Sequence, residues 1–251
     1  VASITPVVVD PETLYLILNV SFKLDTTKTT ENIFSVSSQI NSTLNTYNTS
    51  DLTEFNSPFR HSAVTAKIDE TNSGILNNTT NVTMAKYFTP TTTTSTTYNI
   101  YYRNAFYYPH SGHNATAGGI ISSTGFKING DTTTVFYFDD DGAGNLRRYS
   151  VNAGVRTYAD NTAGTIDYTK GSISISAIYI NSIENIDGAT STQIRITAIP
   201  NSKDIVPVRN QILEIDFINT IITGEVDTIA SSSSSTGTYT TSASNPTTSA
   251  Y

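Results

Sequence analysis

Residues 14–24 read LYLILNVSFKL, and this stretch decides the fold. Successive side chains of an extended chain alternate between its two faces. The residues of one face are apolar throughout: Leu14, Leu16, Leu18, Val20, Phe22 and Leu24. The other face becomes polar from Asn19 onward, which is typical of a strand whose second face reaches solvent. Another element must therefore cover the first face.

A helix predicted over residues 30–48 is the first candidate for this cover. Its apolar residues recur at steps of three and four, which places them on one helix face: Ile33, Val36, Ile40, Leu44 and Tyr47. Thr29 or Thr30 is the predicted N-cap, and Glu31 would lie in the first turn, where the helix dipole favours an acid.

A second helix is predicted over residues 58–70, because Pro58 suits a first helical position. Val64 and Ile68 would point inward from it. A strand at residues 82–88 follows, and the polar run 91–97 then breaks the pattern. The order strand, helix, helix, strand predicts an α+β module over residues 1–96.

The remaining sequence predicts an all-β domain, of sandwich or barrel-like form, over residues 97–230. Short strands with turn signals between them are predicted at residues 98–102, 120–128, 134–138, 146–151, 164–168, 171–181, 194–198 and 212–218. Residues 231–251 are rich in Ser and Thr and poor in apolar residues, so we expect a tail that is flexible or ordered by a partner. The fold class is α+β.

Composition narrows the classes of function. Charged residues make up only 14% of the 251 residues, and the formal net charge is −7. Nucleic acids and anionic membranes are bound by clustered positive charge, which is missing here. No apolar stretch has the length of a membrane helix, no signal peptide is evident, and the absence of cysteine excludes disulfides. Because the chain begins at Val1 rather than at a methionine, we expect it to be part of a longer polypeptide.

The sharpest local motif is DDDGAGN, which begins with Asp139, Asp140 and Asp141 and ends at Asn145. Its carboxylates could bind calcium, or serve a metal-dependent hydrolase. The spacing does not match an EF-hand, whose glycine is the sixth residue of the loop, whereas Gly142 is the fourth here. Asp, Gly and Asn are also the residues that a tight hairpin turn needs, and we favour that interpretation.

Three histidines and a run of tyrosines are the other candidates. His110 and His113 are close enough to share a metal if a carboxylate joins them, but no helix fixes their geometry, and we favour a solvated loop. His61 lies on a predicted helix surface. The aromatic residues between Tyr98 and Tyr108 could stack on sugars, or pack as a sheet face or an interface. No nucleophile with its base and no nucleotide-binding loop can be assembled, so no catalytic, cofactor-binding or metal-binding residue is predicted.

The first hundred residues resemble a known family. The stretch ITPVVVDPETLYLILNVSFKL, then NTYNTSDL, EFNSPFRHSAVTAKID and GILNNTTNVTM, is similar to the C-terminal region of the T-even-type phage baseplate wedge protein, of the baseplate-J-like family. The residues that carry the match are Glu54, Phe55, Asn56, Ser57, Phe59, Ser62, Ile68 and Asp69. DDDGAGNLRRY, GTIDYTKG and DIVPVRNQILEID look like the β region of related wedge proteins.

This resemblance implies a structural subunit of a contractile-tailed phage, located in the baseplate of the virion. It implies a C-terminal fragment that pairs with a second copy of itself and contacts other wedge or hub proteins. It implies neither catalysis nor a cofactor, nor binding to nucleic acid, membrane or small molecules. Two other functions remain open: a carbohydrate-binding adhesin module that uses the residue 98–108 aromatics, and a metal-dependent hydrolase at residues 139–141.

Overall fold

A computed structural model describes residues 11–112, 119–186 and 188–229. Two α-helices, α1 (Ile33–Tyr47) and α2 (His61–Glu70), lie between the first two strands, and a short π-helical segment (Asn48–Leu52) follows α1. The strands are β1 (Glu12–Leu24), β2 (Ile75–Phe88), β3 (Thr96–Tyr101), β4 (Ile121–Ser123), β5 (Phe126–Ile128), β6 (Asp131–Asp140), β7 (Asn145–Asn152), β8 (Val155–Asp167), β9 (Ser172–Ile178), β10 (Ile180–Ile183), β11 (Ile194–Ala198), β12 (Gln211–Ile215) and β13 (Ile221–Val226). This order confirms the α+β class.

The strands form one large open mixed sheet. Its order is β12-β1-β2-β11-β4-β6-β7-β8-β9-β3, with β13 also beside β1, β5 beside β6, and β10 beside β5. The pairs of β1 with β12 and β13 are parallel, and the other pairs are antiparallel. The strands for which we predicted a sandwich or barrel-like domain are thus hydrogen-bonded into the same sheet as β1.

The two faces of β1 are as predicted. Its six apolar residues from Leu14 to Leu24 are buried, while Asn19, Ser21 and Lys23 on the other face are exposed. The covering residues of α1 are also as predicted, since Val36, Ile40, Leu44 and Tyr47 are buried. Val64 and Ile68 of α2 are buried against the same core. The two helices therefore cover one face of the β1–β2 pair.

Both helices begin three residues later than predicted. The N-cap of α1 is Asn32 rather than Thr29 or Thr30, because its Oδ1 accepts a hydrogen bond from the Ser35 amide at 2.9 Å. Residues 58–60 precede α2 because the backbone of Phe59 exchanges two hydrogen bonds with Ile205. A contact distant in sequence thus overrides the local helix signal.

Several strands differ in length from their predictions. β2 begins at Ile75 rather than at residue 82, and the predicted strand 120–128 is divided into β4 and β5. β12 ends at Ile215, because Asp216 Oδ1 accepts the amides of Ile218 and Asn219 and forms a turn. We did not predict β13.

β12 and β13 return to the N-terminal part of the chain and lie beside β1, in register with residues 12–16 and 19–24. One core includes residues from β1 to β12.

The division of the chain at residue 96 stays a prediction. Residues 1–10 of the predicted α+β module and the predicted tail at residues 231–251 lie outside the described residues. Neither of the described helices has the length and apolar content of a membrane span.

Candidate interaction surfaces

Asp141 forms the turn at the tip of the β6–β7 hairpin, as the turn interpretation predicts. Its Oδ1 accepts the amides of Ala143 at 2.7 Å and Asn145 at 3.0 Å, and its Oδ2 accepts the Asn145 side-chain amide at 2.6 Å. Burial opposes ionisation, but the bonds from Asn145 and Ala143 outweigh it, and the pKa of Asp141 is lowered. Gly142 and Gly144 have φ values of 71° and 105°, which only glycine adopts readily.

Asp139, on the same hairpin, is buried in an ion-pair cluster that also includes side chains of β8. Arg147 approaches both of its carboxylate oxygens, with Nε at 3.0 Å from Oδ1 and Nη2 at 3.3 Å from Oδ2. Arg156 and the Tyr158 hydroxyl donate to Oδ2, each at 2.9 Å. Burial nevertheless raises the pKa of Asp139, against the hydrogen bonds from Tyr158 and Arg147. The guanidinium of Arg147 also stacks on the Tyr158 ring, 4.1 Å from its centre.

Asp140 points to the opposite face of the sheet, into the core. Its Oδ1 accepts the amides of Ile120 and Ile121 at 3.0 Å, and its Oδ2 accepts the Tyr168 hydroxyl at 3.0 Å. The carboxylates of residues 139–141 therefore face three separate sets of donors. Across residues 11–112, 119–186 and 188–229, no group of three acidic or histidine residues is placed to hold a metal ion.

The histidines are not brought together in the described part of the chain. His61 begins α2, its amide donates to Asp204 Oδ1 at 2.8 Å, and its Nε2 lies 2.8 Å from the Thr80 carbonyl oxygen. It thus joins α2 to β2, a role that we did not predict. His110 is exposed in a loop, with Nδ1 3.2 Å from the Ser111 carbonyl oxygen. His113 lies outside the described residues.

The aromatic run from Tyr98 to Tyr108 is divided between core and surface. Tyr102 is fully buried and donates its hydroxyl to the Ile196 carbonyl at 2.6 Å, and Phe106 packs on its ring. Tyr101, Tyr107 and Tyr108 are exposed on 46%, 44% and 40% of their surface. Packing therefore uses Ile100, Tyr102, Phe106 and part of Tyr98, while Tyr101, Tyr107 and Tyr108 remain on the surface.

Tyr101 lines a groove of about 350 Å³ between β3 and the start of β1. Lys86, which is nearly buried, also lines the groove, and its Nζ lies 2.6 Å from Glu12 Oε1. Burial lowers the pKa of Lys86, and the hydrogen bond to Glu12 opposes this shift. The rings of Tyr15 and Tyr87 meet edge to face in the wall, with centres 5.1 Å apart. Asn99 and Gln193 add polar side chains.

The face of β1 that is turned away from the helices forms a second surface, which we call the bare face. Ser21 lies at its centre, opposite Thr79 on β2 and Thr223 on β13. All three are exposed, and the hydroxyls of Ser21 and Thr223 are 3.5 Å apart. The other exposed residues on this face are Asn19, Lys23, Asn77, Asn81, Ile221 and Glu225.

The sequence indicated only part of the bare face. The alternation in residues 14–24 predicted that Asn19, Ser21 and Lys23 reach solvent. The addition of β13 was not predictable in this way, because its pairing joins residues about 200 positions apart. The alternation of residues 221–225 was the available signal, since Ile221, Thr223 and Glu225 are exposed and Ile222 and Gly224 are partly buried.

The comparison with known families matches the part of the chain that carries the β1 and β2 residues of the bare face. Residues 12–87, from the start of β1 almost to the end of β2, match the family described as baseplate structural protein gp6, C-terminal domain III. A comparison with curated proteins found no match. The resemblance seen in the sequence is therefore confirmed over β1, both helices and β2. Residues 12–87 are similar to the C-terminal domain III of gp6, and the chain is a structural component of the phage baseplate and hence of the virion.

Proposed function

We propose that this chain is a wedge or ring component of the baseplate that pairs with a second copy of itself and contacts neighbouring wedge or hub proteins. The observation that carries the proposal is the bare face of the family-matched region. The helices cover one side of β1 and β2 and leave Ser21 and Thr79 exposed on the other. An assembly subunit needs such surface for its neighbours.

The charge pattern supports a structural role. A net charge of −7 with few charged residues does not favour nucleic acid, whose binding depends on clustered Lys and Arg. Each carboxylate of the hairpin tip is engaged by protein donors, as expected of residues that stabilise a fold. We therefore propose a role without catalysis, without a cofactor and without a small-molecule substrate.

We also propose that the chain consists of an α+β module (residues 1–96), a β-rich part (97–230) and a Ser/Thr-rich tail (231–251). The helices support the first boundary, because both precede residue 96. The polar run at residues 91–97 separates β2 from β3. The two larger parts share one core and one sheet.

Sedimentation equilibrium over a hundredfold range of concentration tests the proposed self-association. We expect the weight-average mass to rise from that of one chain, 27.1 kDa, to that of a dimer. A constant mass of one chain at the highest concentration, together with a crystal that lacks a two-fold contact, would contradict it.

A carbohydrate-binding module is the second candidate, and the groove beside Tyr101 is the observation that favours it. An exposed ring beside amide and carboxylate groups is an arrangement that can bind sugars. Tyr101→Ala removes the ring, and Tyr107→Ala removes an equally exposed ring that does not line the groove. On a glycan array the baseplate role predicts no binding. Binding that is lost only in Tyr101→Ala would favour the carbohydrate function. Tyr102 is unsuitable for this test because it is buried.

A further inference from the structure

We propose that the outer edge of β13 forms the self-association surface, by pairing antiparallel with β13 of a second copy. The inference rests on the proposed self-association and names the strand that performs it. β13 is hydrogen-bonded to β1 on one side only. In such an edge strand about half of the backbone N–H and C=O groups point outward.

The outer edge of β13 is unpaired from Ile221 to Val226, whereas the edges at β12 and β3 carry a cap or an irregularity. Beside it, the Ile215 amide of β12 is capped by Asn48 Oδ1 at 2.7 Å. At the far end, β3 has an irregular register between Thr96 and Tyr98, and the Tyr98 ring packs on Phe88. Among the described residues we find no hydrogen-bond partner for the outward backbone groups of Ile221–Val226.

β13 also carries little of the protection that soluble proteins give an edge strand, with Glu225 as its one charged residue. Its sequence, IITGEV, contains no Lys and no Pro, and its register with β1 is unbroken from Ile221 to Val226. Exposed apolar side chains lie at both ends of the strand: Ile218 (85% exposed), Ile221 (56%), Val226 (40%) and Ile229 (78%). Such a concentration of apolar surface at an unpaired edge indicates a contact with another chain.

A second copy fits this edge because antiparallel pairing is self-complementary. Directly opposed residues share a face of the sheet, so the odd-numbered residues of one copy must oppose odd-numbered residues of the other. A two-fold axis at Thr223 satisfies this condition and pairs five residues of each strand. Thr223 then opposes Thr223 of the second copy, and Ile221 opposes Glu225 of the second copy.

This register also suits the charged residues of β13 and the exposed apolar residues at its two ends. Thr–Thr pairs are favourable across antiparallel strands, and no two like charges become opposed. Glu225 already lies beside Lys23 of β1, so its charge is partly compensated within each copy. Antiparallel pairing brings the start of β13, next to Ile218, to the end of the other β13, next to Ile229. The exposed isoleucines of the two copies therefore meet at the same two places.

Two variants in one row of the bare face test this assignment. Thr223→Lys places two lysines opposite each other at the two-fold axis, and we expect the dimer dissociation constant to rise about tenfold or more. Thr79→Lys is the matched control, because Thr79 lies on the other side of Ser21, on the same face, two strands away from the outer edge of β13. We expect its dissociation constant to stay within about twofold of the parent value. Sedimentation equilibrium at physiological ionic strength gives both constants.

A cysteine variant tests the same pairing by covalent cross-linking, which does not depend on whether the fold tolerates a lysine at residue 223. The chain has no cysteine, so in Thr223→Cys a disulfide can form only between copies. We expect oxidation to give a covalent dimer on a non-reducing gel for Thr223→Cys and not for Thr79→Cys.

The outcomes separate the edge assignment from self-association itself. A parent chain that dimerises while Thr223→Lys has no effect and Thr223→Cys gives no covalent dimer would overturn the edge assignment and leave the proposed function standing. If Thr223→Lys and Thr79→Lys weaken the dimer equally, the interface is the bare face as a whole. This result would also overturn the edge assignment. A parent chain that stays monomeric would overturn both.

Discussion

Asp139, Asp140 and Asp141 are neighbours in the chain, yet their carboxylates have three different environments. Asp141 binds donors only two to four residues away, so its turn could be predicted from the local sequence. Asp139 binds Arg156 and Tyr158, and Asp140 binds the backbone at residues 120 and 121. Those partners come from other strands, and the sequence does not show which strands pair. The local sequence therefore predicts the turn at Asp141 but not the burial of Asp139 and Asp140.

Asp139→Asn is expected to destabilise the protein by about 2–4 kcal/mol, because it leaves the buried guanidinium of Arg147 without its counter-charge. Urea unfolding measures this loss. Asp141→Asn is the control: its amide oxygen still accepts the amides of Ala143 and Asn145, and only the partly buried bond from the Asn145 side chain is lost, so we expect a cost of about 1 kcal/mol. Equal losses in the two variants would contradict a special role for the Asp139 cluster.

At the scale of elements, β1 was the most predictable part of the fold. Its period of two and the steps of three and four in α1 are strong local signals, and both describe the observed burial. β13 was not predicted because its six residues have a weak pattern, with Gly224 at a position that faces the core. The reason for this glycine is visible only in three dimensions. A Cβ added to Gly224 would lie 2.7 Å from Ile33 Cγ2 and would clash with the Phe22 ring.

Gly224→Ala should therefore cost about 1–3 kcal/mol, the usual cost of overpacking between a strand and a helix. Chemical denaturation measures it, and Thr223→Ala is the matched control on the exposed face of the same strand, with an expected change within about 0.5 kcal/mol. A Gly224→Ala variant as stable as the parent would show that α1 does not pack tightly on β13.

The whole molecule is organised around β1, which the last two strands complete. β2 lies on one side of β1, and β12 and β13 lie on the other, so residues near both ends of the described chain share one core. The local signals of the sequence described the α+β module and the later strands separately. They contain no information on how distant strands pair, and for this reason the sandwich or barrel-like expectation did not anticipate a single large sheet.

Because the N-terminal and later strands share one core, we expect them to unfold together. We expect differential scanning calorimetry to show one unfolding transition for the parent chain, because loss of β12 and β13 would expose the apolar face of β1 and its neighbours. Asp139→Asn on the β6–β7 hairpin and Gly224→Ala beside α1 serve as two distant probes. Each should lower the midpoint of that one transition, because a local loss of stability destabilises the whole cooperative unit. Two transitions, with each variant shifting a different one, would contradict this prediction and would show that residues 1–96 and 97–230 unfold independently.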